Sequence, residues 1–388
     1  MKILHTADWH VGKVLKNQPR FDEHRAVLAD LVRIADTEDV DAVIVAGDLF
    51  ETATPNPQAQ SLVMRTLLRL RGDGRHVVVL AGNHDNQRLV DEVYRPVLGE
   101  LGVHVVGLPK PPDRGGTLTL TTRGGETARI AALPFLAYRY AVRAAEVVLH
   151  DAAEHGMDYA RQVGAIIAAL TQAFADDTVN VVTTHGTLLG GRRGGGEREG
   201  QTLLGYELPA TLFPASAHYA ALGHLHRYQE IDGPCPIAYS GSPLALDFGE
   251  EANESVALIV HAAAGSRAQV RPVPIAGGRP LRTLRGVFEQ VVEEGRRCAD
   301  EPYFRVILAQ QASAGLADRV REALPNVLEV QIDEAFRPRA TGQVRTTSRL
   351  GRSPTELFAD FLTESQVDDK RVRNLFAELL DDVTGGHG

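Results

Sequence analysis

The run Val43-Ile44-Val45-Ala46-Gly47-Asp48 constrains this chain more than any other stretch. Its consecutive β-branched and apolar residues suit a strand buried on both faces of a layered α/β domain. The strand breaks at a glycine and delivers one carboxylate, Asp48, to a sheet's carboxyl edge, where open α/β folds place their chemistry. Alone, a Gly-Asp pair is more often a turn or cap than a ligand. The wider sequence shifts that balance, because four other strand ends carry oxygen or imidazole groups: Asp8 with His10, Asn83-His84-Asp85, His185, and His224 with His226.

From Met1 to about Leu136, short apolar runs alternate with helix-length amphipathic segments. Strands are expected at Lys2–Ala7, Asp41–Ala46, His76–Ala81 and Val103–Gly107, with helices over Phe21–Asp36 and Pro57–Arg71. Thr117–Thr122 and Ala128–Leu133 flank a glycine-bearing turn and read as a hairpin. A helix over Tyr159–Phe174 and a buried strand over Val179–Thr184 follow. Residues 186–201 are so rich in glycine that a mobile surface loop beside the site is expected. His218–Leu222, Pro236–Ser240, Ser255–His261 and Gln269–Val273 are assigned to a second sheet. The fold class is therefore α/β, a two-sheet sandwich flanked by helices over residues 1–275. A smaller α+β unit is expected over 280–335, then an arginine-bearing arm from Arg337 to Pro354 and C-terminal helices over 354–388. In the last of these, Leu375, Phe376, Leu379 and Leu380 share one helical face, which suits either packing on the chain's own core or docking on a partner.

Two residue pairs, Asp8/His10 and His224/His226, are spaced by two, so in extended backbone each pair points one way and can meet one ion. Asn83 offers a neutral oxygen, leaving His84 off the metal and available to protonate a leaving oxygen or stabilise phosphoryl charge. Asp85 is expected to orient the His84 ring. Singly, these fragments also fit caps, an Asx-turn and satisfied core histidines. Together they provide oxygen and nitrogen donors for two divalent ions bridged by Asp48. Ions roughly 3.5–4 Å apart suit phosphoester hydrolysis, and the donor set admits manganese, iron or zinc. His5, His24 and His76 are left as structural or surface histidines.

The order Asp-x-His, Gly-Asp, Gly-Asn-His-Asp, His-Gly, Gly-His-x-His resembles the calcineurin-like metallophosphoesterase superfamily. Asp8-Trp9-His10-Val11-Gly12, Ala46-Gly47-Asp48-Leu49-Phe50, Ala221-Leu222-Gly223-His224-Leu225-His226 and Tyr239-Ser240-Gly241-Ser242-Pro243 resemble, more narrowly, nuclease subunits of the bacterial SbcCD type. The resemblance implies one ion held by Asp8, His10, Asp48 and His226, and the other by Asp48, Asn83, His185 and His224. It further implies a catalytic His84, Mn2+ as the metal, a DNA phosphodiester as substrate, and roles in DNA repair and recombination. The unit over 280–335 would cap the DNA-facing side. The terminal helices would dock an SbcC-type coiled-coil ATPase, and the assembly would contain a homodimer within a heterotetramer. One position departs from some nuclease relatives: three residues after the bridging aspartate they have a histidine, whereas this chain has Glu51.

The formal charge of −9 speaks against gripping nucleic acid through the overall field. Local charge at a metal centre, or a basic partner, remains compatible with DNA. With 44% hydrophobic residues over 388 positions the chain can bury a large core. It has no apolar run of about 18 residues, and a cytoplasmic setting is expected. Cys235 and Cys298 lack a CxxC partner, which favours reduced thiols. Two rival functions share these features: a phosphodiesterase or phosphatase for a small nucleotide or phosphoprotein, and an adaptor that tethers an ATPase to DNA without cutting.

Overall fold

The computed structural model describes residues 1–337, apart from 73, 138–139, 142–143, 146–147, 149–158 and 198–206, together with 354–364, 369–372 and 374–376. Two six-stranded sheets lie face to face. The first runs in the order Ser266–Pro274, Val256–Ala263, Lys2–Thr6, Ala42–Val45, His76–Leu80, Val103–Val106. Its four N-terminal strands are parallel, with Leu4 opposite Val43 and Val43 opposite Val77. The second runs Gln229–Ile231, Ile237–Tyr239, Tyr219–Gly223, Val179–His185, Thr127–Leu133, Thr117–Thr121.

The apolar runs are continuous because each strand has two buried faces. Ile3, Ile44 and Val78 point between the sheets, toward Ile130, Val181 and Ala221. Their neighbours Leu4, Val43, Val45, Val77 and Val79 point outward, onto Leu28, Leu31, Val63 and Leu67 of the helices Phe21–Thr37 and Pro57–Arg71. The second helix starts where the chain dictates: Asn56 Oδ1 accepts from the Ala59 amide at 2.8 Å, and Pro57 occupies the first turn. On the far face of the second sheet, Val163, Ile166, Ile167 and Leu170 of helix Tyr159–Leu170 pack on Leu222 and Tyr239.

The strands Val256–Ala263 and Ser266–Pro274 correct the sequence-based assignment. They extend the first sheet, with Val256–Ala263 antiparallel to Lys2–Thr6 and Leu4 opposite Ile259. The reason is an open edge: Lys2–Thr6 pairs with Ala42–Val45 on one side only, and a buried strand cannot leave its other row of amides and carbonyls unpaired. The hairpin Thr117–Thr121/Thr127–Leu133 instead belongs to the second sheet, beside Val179–His185.

Residues 281–332 form a third sheet, Leu281–Gly286, Tyr303–Leu308, Val327–Ile332, with helices Phe288–Arg296 and Leu316–Ala323. It has its own core of Val291, Phe304, Val306, Leu308 and Val320. The strand Leu281–Gly286 was not legible in Arg279-Pro280-Leu281-Arg282-Thr283, whose basic residues and proline read as a connection. This unit meets the sandwich through Leu281 and Tyr303 against Leu15 and Phe248. The guanidinium of Arg279 lies 4.8 Å over the Tyr303 ring. Both cysteines are unpaired. Among the described residues no helix is long and apolar enough to cross a membrane. The described residues from 354 onward belong to a separate unit, in which the Phe358 and Phe376 rings stack with centroids 3.9 Å apart.

Glycine is required where the first sheet delivers Asp48. Gly47 has φ +99°, and a Cβ there would sit 2.3 Å from His185 Nδ1. Gly47→Ala is expected to cost about 1–3 kcal/mol through that clash and the left-handed backbone, read as a lower midpoint in chemical denaturation. A midpoint equal to that of the parent would mean that His185 does not pack against this turn.

Candidate metal centre

Five strand ends bring their side chains together, and three of them turn sharply to do so. Asp8, His10, Asp48 and His224 have φ of 53°, 45°, 52° and 106°, a left-handed region that non-glycine residues occupy at a cost. The turns are held by backbone hydrogen bonds: His10 N–H donates to Asp48 O and Val11 N–H to Leu49 O, both at 3.0 Å. Ligand-bearing loops from separate strands are thereby tied to each other directly.

Asp48 lies at the middle. Its Oδ2 is 3.4 Å from His10 Nε2 and 3.4 Å from His185 Nε2, while Oδ1 accepts from the His84 amide at 2.8 Å. Burial opposes its charge, but His185 and its neighbours hold the carboxyl well below the usual range. On one side of it stand Asp8, His10 and His226, and on the other His185 and His224. Asn83 Oδ1 is 2.9 Å from both His185 Nε2 and His224 Nδ1. Asp8 accepts from the His224 amide at 2.9 Å. Asp8, His10 and Asp48 are each at most 1% exposed.

The donor atoms fit divalent cations. His10 Nδ1 faces the Glu51 carboxylate at 3.0 Å and so carries the proton, which leaves Nε2 a lone pair aimed at Asp48. That Nε2 is buried and has no hydrogen-bond partner among the described residues. Burial lowers the His10 pKa to about 4, so the ring is neutral at pH 7. A lone pair facing a carboxylate is repulsive unless positive charge lies between them. Asp8 carries the same sign: burial outweighs the nearby His185 and His226 and raises its pKa to about 7, as in a pit that needs a cation. Opposite it, burial lowers His224 to about 3.

A carboxylate that was not legible in the sequence orients the His226 ring, and a second holds its main chain. His226 Nδ1–H donates to Glu250 Oε1 at 2.7 Å, and the other oxygen of Glu250 accepts from the Leu246 amide. Glu197 accepts from the amides of Gly194, Gly195 and His226. The glycine-rich segment is thus fitted, through residue 197, against His226 and is no loose loop: a Cβ on Gly196 would lie 2.0 Å from Glu250 Oε1. Ser242 donates toward the Asp8 carbonyl at 2.8 Å, and Tyr239 toward the Gly186 carbonyl at 2.7 Å. No signal marks Glu250 or Glu197, because each meets His226 only after the chain has folded back.

One expectation changes. Asp85 does not contact the His84 ring; its oxygens accept from the amides of Gly82, Leu49 and Phe50 at 2.9–3.2 Å, which fixes the turn after Asp48. Three converging amides are a better match for a short buried carboxylate than one ring nitrogen of its neighbour. The His84 Nδ1–H instead donates to the Glu51 carbonyl at 2.8 Å. In the terminal unit, Leu375 is exposed, Phe376 is engaged by Phe358, and Leu379 and Leu380 lie outside the described residues. Of the arm, Arg339, Arg345, Arg349 and Arg352 also lie outside them. His5 is structural, with Nδ1 2.8 Å from the Tyr219 hydroxyl; His24 and His76 pair with the carbonyls of Arg20 and Thr121.

The calcineurin-like phosphoesterase family matches residues 1–228, and a family described as type 5 capsule protein repressor C-terminal domain matches residues 278–366. The chain is 32% identical to the SbcD component of the SbcCD nuclease of Bacillus subtilis strain 168, over 99% of this chain and 98% of that one. The chain belongs to the SbcD family of calcineurin-like phosphoesterases. It is also 35% identical to the SbcD component from Rhodobacter capsulatus, over 84% of this chain and 85% of the relative. For the Escherichia coli K12 protein of that name the value is 30% over the whole of both chains. Divalent-metal binding follows from the family and from the clustered acidic and histidine donors.

Metal uptake should release protons. Burial opposes the charged rings, but Asp48 carries His185 up to about 9 and Glu250 carries His226 up to about 9 in the metal-free protein. Both rings must lose a proton to ligate. Mn2+ affinity is therefore expected to rise with pH from 6 toward about 9, and calorimetry in buffers of different ionisation enthalpy should report proton release. A pH-independent affinity would remove these two histidines from the ligand set.

Proposed function

We propose that this chain is a two-metal DNA nuclease, in which Asp48 bridges one ion held by Asp8, His10 and His226 and another held by Asn83, His185 and His224. The equal spacing of Asp48 Oδ2 from His10 and His185 is the observation that carries the reading. When bound, two such ions would supply positive charge against the phosphate and make an attacking water available at neutral pH. Mn2+ is the proposed metal.

The protein's own residues supply the rest. His84 lies in one cluster with His10 and Asp48, and because its Nδ1 is committed to the Glu51 carbonyl, Nε2 is the nitrogen left for chemistry. In its charged form it can stabilise the phosphoryl group and hand a proton to the leaving oxygen. The deep burial of the ligands excludes bulk water around them. A cavity of about 1010 Å3 opens beside Asn83 and Phe135 and is lined by Arg88, Arg95, Lys110 and Arg114. Asp91 offsets part of this charge through Lys110 at 2.5 Å. Cations gathered beside the metal centre of a chain with net charge −9 favour a polyanionic strand over a small phosphoprotein site. This also favours a nuclease over a tethering adaptor, which has no use for an unligated histidine beside the ions.

The domain division belongs to the same proposal: residues 1–275 carry the nuclease, 280–335 cap it on the DNA side, and 354–388 dock an SbcC-type coiled-coil ATPase. The relatives' names, which make each of them one component of an SbcCD nuclease, support the partnership. A homodimer within a heterotetramer, a role in repair and recombination, and a cytoplasmic setting complete the reading.

The test is Mn2+-dependent digestion of linear duplex and hairpin DNA with and without the ATPase. His84→Gln is expected to bind both ions as the parent does and to lose roughly 10²–10⁴-fold in turnover. Parental turnover in that variant would remove His84 from the chemistry, and absence of metal-dependent cleavage in the parent complex would refute the nuclease reading.

A further inference from the structure

Glu51 occupies the position where this chain departs from the histidine of some nuclease relatives. An acidic group beside a phosphate site should repel the substrate. In the structure it does not face that way. One side-chain oxygen accepts from His10 Nδ1–H at 3.0 Å and the other from Lys13 Nζ at 3.0 Å, and the side chain is 20% exposed.

The same residue also holds His84, through its main chain: the Glu51 carbonyl accepts from His84 Nδ1–H at 2.8 Å. That carbonyl is itself fixed. Glu51 N–H donates to Val11 O at 3.3 Å, Phe50 bridges to Val11, and Asp85 takes the amides of Leu49 and Phe50. The His10 and His84 rings meet edge to face, with centroids 4.5 Å apart and planes at 87°.

An imidazole rotates easily about its last torsion, which is broad and roughly two-fold. Which nitrogen faces an ion is therefore decided by what the other nitrogen bonds. For His10, the groups that settle it are on Glu51. We propose that Glu51 is the positioning residue that sets both imidazoles at once, His10 through its carboxylate and His84 through its carbonyl, with Lys13 neutralising the carboxylate. The inference rests on the two-ion reading above. It turns the departure from the histidine pattern into a working part of the site: the negative charge is spent inside the protein and does not face the substrate.

The test uses the full-length chain and Mn2+ alone, followed by hydrolysis of bis-p-nitrophenyl phosphate. Glu51→Ala is expected to weaken one of two Mn2+ equivalents by about 10–100-fold and leave the other within about twofold. Its kcat should fall while KM stays near that of the parent. Glu51→Gln keeps an acceptor oxygen for His10 and should recover most of the affinity. Should the alanine variant fail to fold, Glu51→Asp, which withdraws the carboxylate by one methylene, reads the same split. Parental affinity at both equivalents, or equal weakening of both, would overturn the proposal. His10→Ala measured alongside separates the failures. If it loses an ion while Glu51→Ala keeps both, Glu51 alone is misassigned; if it too keeps both, the two-ion reading falls and this inference with it.

Discussion

The structure depends on a negative charge buried between its two sheets. Asp48 stands 1% exposed between two imidazoles, and it follows a glycine at which any side chain would crowd His185. A buried carboxylate is costly unless paired. Here the pairing groups come from both sheets, so the compensation for that charge is also the contact that registers one sheet on the other. His185 links the two: its Nδ1 bonds Ala46 O at 2.7 Å in the first sheet, and its own strand lies in the second. The fold and the metal centre are in this sense one construction.

Much of this was legible in the sequence, and for a physical reason. Parallel strands buried on both faces read as unbroken apolar runs, and their ends are marked by glycine and by polar residues that have no place in a core. The candidate ligands Asp8, His10, Asp48, Asn83, His185, His224 and His226 all sit at such breaks, and the structure brings their side chains together near Asp48. The helices Phe21–Thr37 and Pro57–Arg71 followed from periodicity within a residue or so.

What was not legible depends on contacts between distant segments. Val256–Ala263 has the continuous apolar run of any strand buried on both faces, and nothing in it specifies the free edge of Lys2–Thr6 as its partner. Glu250 lies in Gly249-Glu250-Glu251, with the look of a surface turn, yet is 1% exposed and bound to His226. Asp85 reads as the partner of its neighbour His84, but a short side chain in a tight turn reaches backbone amides more readily than an adjacent ring. The glycine run near residue 195 reads as freedom, whereas it marks close approach to Glu250 and Gly249. In each case composition gave the residue's chemistry, and the tertiary neighbour decided its role.

The central claim is that one carboxylate serves two ions. A crystal of the full-length chain soaked in Mn2+, with anomalous scattering recorded at the manganese edge, tests it most directly. The account predicts two peaks roughly 3.5–4 Å apart, with Asp48 contributing one oxygen to both, Asp8, His10 and His226 around the first and Asn83, His185 and His224 around the second. A single peak, or two peaks of which one does not touch Asp48, would contradict it.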